Sequence, residues 1–427
     1  MPVAAVTPAQ MEAMQTRFPD RFLMGTAIAG FQNEMGCPSL APEECEDTQS
    51  DWYAFITQKP FTSKSSLHIS GNMPTSGPGF YQLYREDLGR TRDELGHNSV
   101  RLSLEWSRLF PTASFGIAGF AQLRDIASKE ALAYYHDIFA TMRQKGLKPL
   151  VTINHYTLPL WIHEPLACHK NLSRCEHKGW ADPAVMVPEI TKFAAFVAEE
   201  FGGEVDDWIT LNEPLMGVVF PSYLMPTERR SNPPGLTLNV AVAKRASGAM
   251  IEAHARMYEA IHRADRWDAD GDGRAASVGI VNAFISTRPK TSKAQDQTSA
   301  DRLNYLLNDM YLEALVRGRY DANWDGKFVE RADYKAHLDF IGVNYYFQVQ
   351  VEKAWLPLLK TISPLLDFDP SNFKLSETHP QGIYEVPSIF TPINFRSSLR
   401  KPAPMLPSAK KRPSIGWCKL SPGRDWR

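Results

Sequence analysis

The residues best suited to chemistry lie at the ends of apolar runs. Thr210-Leu211-Asn212-Glu213-Pro214 closes one run with an amide, a carboxylate and a proline, a rigid strand end that aims a carboxyl into a mouth. Arg101-Leu-Ser-Leu-Glu105-Trp106-Ser107-Arg108 closes a second run, Asn154-His155-Tyr156 a third and Asn344-Tyr345-Tyr346 a fourth. Ala29-Gly30-Phe31-Gln32 follows a fifth. Amides, aromatic rings and a histidine gathered this way suit a sugar. Rings stack on its apolar faces, while Asn, Gln and His exchange hydrogen bonds with its hydroxyls. Taken singly, each residue has a plainer use. An Asn-Glu pair after a strand is usually a helix cap, Arg101 can form a structural ion pair, His155 can be a satisfied core histidine, and Tyr346 can be barrel packing. Their joint placement on strand ends favours a functional site.

The elements that must position these residues read as short strands at Arg21–Ala27, Ser99–Glu105, Pro149–His155, Trp208–Leu211, Val278–Phe284 and Leu338–Tyr345. Most are apolar at nearly every position, as strands buried on both faces are. Helical patterns lie between them at Tyr81–Leu95, Ala131–Lys145, Val187–Phe201 and Leu238–Arg263. Repeated alternation of strand and helix calls for a parallel sheet or barrel. A βα barrel carries its chemistry at strand ends. The expected fold class is therefore α/β, a (β/α)8 TIM barrel of which six strands are recognisable.

Composition narrows the function classes. The chain has 427 residues, 43% of them hydrophobic, which suffices for a large core, and α/β barrels reach this size as single domains. The net charge of −1 argues against nucleic acid or an anionic membrane as partner. No apolar run is long enough for a transmembrane helix, and the first residues lack the features of a secretory signal. Five cysteines are too few for a disulfide scaffold, so the expected location is the reducing cytoplasm. Asp268-x-Asp270-x-Asp272-Gly273 resembles the start of a calcium loop, but its twelfth position is Gly279 where a glutamate is required, so a polar turn is expected. His163, Cys168, His169, Cys175 and His177 match no common zinc spacing. Neither a metal nor a cofactor is expected.

Several motifs, in order, carry a family resemblance. They are Phe18-Pro-Asp-Arg-Phe22, Gly30-Phe-Gln-x-Glu34, Arg101–Pro111, Asn154–Trp161, Thr210–Pro214, Ala253-His-Ala255 and Asp339–Tyr346. Between about Phe18 and Val386 the chain resembles glycoside hydrolase family 1, the β-glucosidase/β-glycosidase family. The resemblance implies hydrolysis of β-linked glycosides or oligosaccharides, most of all β-glucosides, with retention of configuration. It implies that Glu213 is the general acid/base and that Asn212 holds the sugar 2-hydroxyl. Gln32 and His155 would bind other hydroxyls of the same sugar. Arg101 and Tyr346 would flank and orient the nucleophilic carboxylate, and Asn344 would support the acid/base.

The resemblance stops near Val386. The family's nucleophile lies in Thr-Glu-Asn-Gly on its seventh strand, and that motif does not occur here, so no nucleophile is identified. Residues 387–427 instead carry nine Lys/Arg, one acid (Asp425) and seven of the 31 prolines. This divides the chain into a family-like barrel unit, 1–386, and a basic, proline-rich tail, 387–427. A shifted reading frame accounts for the tail. Taking the third base of each codon with the first two of the next, Asn394–Pro407 can encode Leu-Pro-Ile-Phe-Ile-Thr-Glu-Thr-Gly-Ala-Asp-Ala-Ala, which is similar to the family's nucleophile strand. The missing glutamate would span the codons of Arg400 and Lys401. Two other readings stand beside hydrolysis: a carbohydrate-binding pseudoenzyme and an inactive product.

Overall fold

The structure, a computed structural model, describes residues 22–57, 72–225, 232–372 and 382. Six strands form one sheet: β1 (Gly25–Ala27), β2 (Ser99–Ser103), β3 (Lys148–Asn154), β4 (Asp207–Asn212), β5 (Ser277–Pro289) and β8 (Phe340–Val351). Every neighbouring pair is parallel, and the order in space is the order along the chain. A doubly wound sheet would reverse its order partway. A barrel wall does not, and this sheet is six strands of one. A small antiparallel ribbon, β6 (Arg319–Tyr320) with β7 (Val329–Glu330), lies outside it. The tail, residues 387–427, lies outside the described residues.

The helices follow from local signals. α1 spans Phe80–Asp93 and α2 Lys129–Lys145. Ser128 caps α2, its hydroxyl accepting from the Ala131 N–H at 3.2 Å, and Gly146 ends it in the left-handed conformation that costs glycine nothing. α3 (Pro183–Phe201) and α4 (Val240–Ala264) pack against each other. α3 starts a turn before the expected Val187. Pro183 sits in its first turn, where its missing N–H is harmless, and Pro188 is carried inside the helix.

β2 and β4 are buried at every position, their polar residues included, as strands covered on both faces are. β4 is also tied to α4 through a buried histidine. His254 Nδ1 lies 2.6 Å from the Thr210 hydroxyl and Nε2 2.6 Å from the His337 carbonyl. A carbonyl can only accept, so Nε2 carries the hydrogen and Nδ1 accepts from Thr210. Burial pushes the His254 pKa down to about 4, which keeps the ring neutral in this arrangement.

β5 and β8 run past their expected ends at Phe284 and Tyr345, to Pro289 and Val351. The ladder shifts register between Phe284 and Ser286, then continues to Pro289 opposite Val351. Beyond the shift β8 alternates polar and apolar, Gln348-Val349-Gln350-Val351, while β5 turns polar at Ser286-Thr287-Arg288. The pair therefore leaves the doubly covered wall as a half-exposed ribbon.

The cysteine expectation needs correcting. Cys37–Cys45 and Cys168–Cys175 are disulfides, with Cα atoms 6.0 and 4.9 Å apart. They are local staples over separations of 8 and 7 residues, which cysteine sparsity over the whole chain conceals. Disulfides persist in oxidising compartments. The cytoplasmic expectation thus loses the support it drew from cysteine number. Among the described residues no helix is long and apolar enough to cross a membrane.

The aspartate-rich loop is held by its own backbone. Asp206 accepts from the Ala269 N–H at 2.9 Å, and Asp268 accepts from the N–H groups of Asp272 and Gly273. Lys148 pairs with Asp207 at 2.9 Å and also with Asp270.

Candidate active site

β4 ends on Asn212, and the chain turns at Glu213, whose backbone is left-handed with φ 48° and ψ 52°. A positive φ is unusual for a residue with a Cβ, and the following proline restricts it further. Two backbone bonds hold the turn. The Glu213 N–H donates to the Val281 carbonyl of β5 at 2.7 Å, and its carbonyl accepts from Gly217 at 2.6 Å. The second bond opens a π-helix over Pro214–Leu224, a form concentrated at functional sites.

The side chain of Glu213 is buried and met by three donors. Asn344 and Tyr346 lie two apart on β8 and so face the same side. Asn344 Nδ2 donates to Glu213 Oε1 at 2.6 Å, and the Tyr346 hydroxyl donates to the same oxygen. The Tyr156 hydroxyl donates to Oε2 at 2.7 Å.

Asn212 sits at the hub of these contacts. Its Oδ1 accepts from Arg101 Nη2 at 2.7 Å and from Asn344 Nδ2 at 3.4 Å. Its Nδ2 reaches the Tyr156 hydroxyl at 2.9 Å and His155 Nε2 at 3.3 Å. Arg101 is buried in β2 and also donates from Nε to the Thr152 hydroxyl at 2.8 Å. Burial pulls the Arg101 pKa down to about 10, which leaves the guanidinium charged at neutral pH. Its charge lies beneath a cluster of otherwise neutral donors and one carboxyl.

Six of the seven expected residues thus join one bonded cluster. Gln32 stays outside it, exposed on the turn Gly30–Asn33. The Gly30 N–H donates to Ser103 at 2.8 Å and the Phe31 N–H to Glu105 at 3.0 Å, which hold that turn over the end of β2. Among the described residues Tyr346 bonds to Glu213, because it shares the face of Asn344. Arg101 bonds to Asn212. The segment expected to bring the second carboxylate lies outside the described residues, as do Glu377 and Glu385. Both ends of the Asn212 amide are engaged by protein, so a sugar hydroxyl must displace one partner.

Two residues of the motifs take parts that their sequence context did not reveal. Tyr156 has φ 81° and stacks on Trp52, with ring centres 6.2 Å apart. A left-handed backbone at an aromatic residue leaves no local sequence signal. Glu105 is the other. It accepts from Phe31, from Ser103 at 3.2 Å and from Thr157 at 2.6 Å, so it fastens the turn after β1 to the loop after β3. Burial, then the nearby Glu34 and Asp47, push its pKa up to about 8. Glu34, which closes the Gly30–Glu34 motif, pairs with Arg108 at 2.6 Å.

Comparisons with known proteins point to one family. The family model for glycosyl hydrolase family 1 matches residues 14–363. A beta-galactosidase of Pyrococcus woesei is 34% identical over 374 residues, which cover 82% of this chain and 71% of the relative. The beta-glycosidase structure from Thermosphaera aggregans superposes with a TM-score of 0.69 at 27% identity, over 79% of this chain and 68% of that one. The beta-glucosidase structure from Pyrococcus furiosus gives 0.66 at 29% identity, over 79% and 66%. The chain spans about two thirds of the length of these solved relatives.

Proposed function

The chain belongs to glycosyl hydrolase family 1, and from that premise we propose that it acts on β-linked glycosides, β-glucosides first, at the mouth where Glu213 stands. In this reading Glu213 is the general acid/base. It gives a proton to the glycosidic oxygen as the bond to the anomeric carbon breaks, and later takes one from water. Asn344 fixes the carboxyl, and Asn212, His155 and Gln32 take the sugar hydroxyls. Arg101 and Tyr346 stand where a partner carboxylate would approach. The observation that carries the reading is the buried Glu213 on its left-handed strand end, with Asn344 and two phenols converging on it.

Retaining hydrolysis also needs a second carboxyl about 5–5.5 Å from the first. After Val386 the sequence holds a single acid, Asp425. The proposal therefore extends to a chain that supplies the acid but no attacking carboxylate, with the family unit at 1–386 and a separate tail at 387–427. The same observation favours a second reading, sugar binding without turnover.

The test uses purified protein whose intact mass matches these 427 residues. An aryl β-glucoside and the matching β-galactoside are supplied with and without azide or formate. Weak turnover that rises with the added anion, and is faster for the glucoside, supports the proposal. Robust turnover without added nucleophile removes the missing-carboxylate part. No turnover, together with a melting temperature that rises with glucose, selects the binding reading.

A further inference from the structure

We infer that Tyr156 is a positioning residue for the catalytic proton: its hydroxyl holds Glu213 Oε2, the oxygen on which that proton resides. The inference rests on the reading of Glu213 as acid/base. The two carboxyl oxygens are not equivalent. Oε1 accepts from Asn344 Nδ2 and from Tyr346. An amide NH2 can only donate, so a proton placed on Oε1 would confront it. Oε2 meets a hydroxyl, which can donate to a carboxylate and accept from a carboxylic acid. When Glu213 is charged, Tyr156 donates to Oε2. When Glu213 is protonated, the O–H on Oε2 donates to the Tyr156 oxygen. The phenol hydrogen then turns toward the mouth, while Asn212 Nδ2 keeps its bond to the same oxygen.

The ring is seated for this task by three separate features. Its backbone is left-handed at φ 81°, a conformation that a bulky residue keeps only where the surroundings impose it. Gly217 of the π-helix provides the space. A Cβ there would come within 2.5 Å of Tyr156 Cε1 and 2.8 Å of its oxygen. Trp52 covers the ring at an interplanar angle of 22°. A tyrosine kept only for packing would need neither the bond to Oε2 nor a glycine beside its hydroxyl.

The test reads Glu213 directly, without turnover. Side-chain carboxyl carbons of glutamate are labelled with 13C in the full chain and titrated, and the Glu213 signal is identified by its loss in Glu213→Gln. Tyr156→Phe keeps the ring against Trp52 and Gly217 and removes only the hydroxyl. The pH at which Glu213 takes up its proton should rise by about 0.5–1 pH unit, because the bond the hydroxyl donates to the charged carboxylate is stronger than the bond it accepts from the acid. A titration that superimposes on the parent overturns the inference. In the reciprocal measurement, Glu213→Gln should move the Tyr156 phenol carbon signal, and an unmoved signal also overturns it. A shifted titration in a protein that hydrolyses nothing, even with azide, refutes the proposed function and leaves only the Tyr156–Glu213 bond, so the two failures are told apart.

Discussion

Glu213 and Glu105 are both buried glutamates just beyond strand ends, and their surroundings differ in kind. Glu213 is met by neutral donors with one guanidinium beneath them. Glu105 stands among other acids, Glu34 and Asp47, and its pKa rises to about 8. One carboxyl is held by neutral donors at a strand end. The other stays protonated at neutral pH and serves as a fastener between loops. Residue type and burial are alike, so what separates a reacting group from a structural one is the company each keeps.

The strongest way to break this contrast is Glu213→Gln. Whatever turnover the protein shows with azide should fall roughly 100- to 10,000-fold for poor leaving groups, which need protonation. Good leaving groups should suffer much less. Equal losses across leaving groups would remove the acid role, whereas the melting temperature should hardly move.

Glu105→Ala should do the opposite. It strands the Phe31 N–H and the Ser103 and Thr157 hydroxyls and opens a hole, for a loss of roughly 3 kcal/mol in denaturant unfolding. A loss under about 1 kcal/mol would mean that Glu105 fastens nothing.

Glu105→Gln sharpens the comparison through pH. The carboxyl titrates at about 8 when folded, against an ordinary value near 4.5, so the folded state holds a proton that the unfolded chain releases. Its contribution is complete below the ordinary value and is lost as pH rises through about 8. The glutamine variant should lose that slope, so parent and variant converge at low pH and separate toward pH 8. Parallel stability curves across this window would refute the raised value. The smallest effect is expected from Thr157→Val, about 1 kcal/mol of stability from one lost hydroxyl bond to Glu105.

The barrel wall was legible because buried parallel strands are largely apolar, as at Val278–Phe284, where Asn282 alone is polar. The ribbon beyond Phe284 and Tyr345 was not, since a half-exposed strand loses that signature where it leaves the wall. In the site, Arg101, Asn212, Glu213, Asn344 and Tyr346 could be chosen because, although each alone has a plainer use, polar residues gathered on several strands of one sheet favour a shared site. Tyr156 lay inside a recognised motif without an evident part. Its role comes from a backbone angle and from a glycine 61 positions away, and neither is a property of its neighbours in sequence. The disulfides were hidden by counting cysteines over the whole chain when the staples are local.

The π-helix after Glu213 makes chain length itself a carrier of information. A π-turn holds about one residue more than an α-turn, and Gly217 stands in the first turn of this segment, against the Tyr156 ring. Removing one residue between Glu213 and Gly217 would turn every later side chain by about 100° around the axis. Gly217 would leave the tyrosine and a side chain would arrive in its place. A deletion that touches no polar group of the site could thus dismantle it, so the spacing of this segment is as much a part of the site as Glu213.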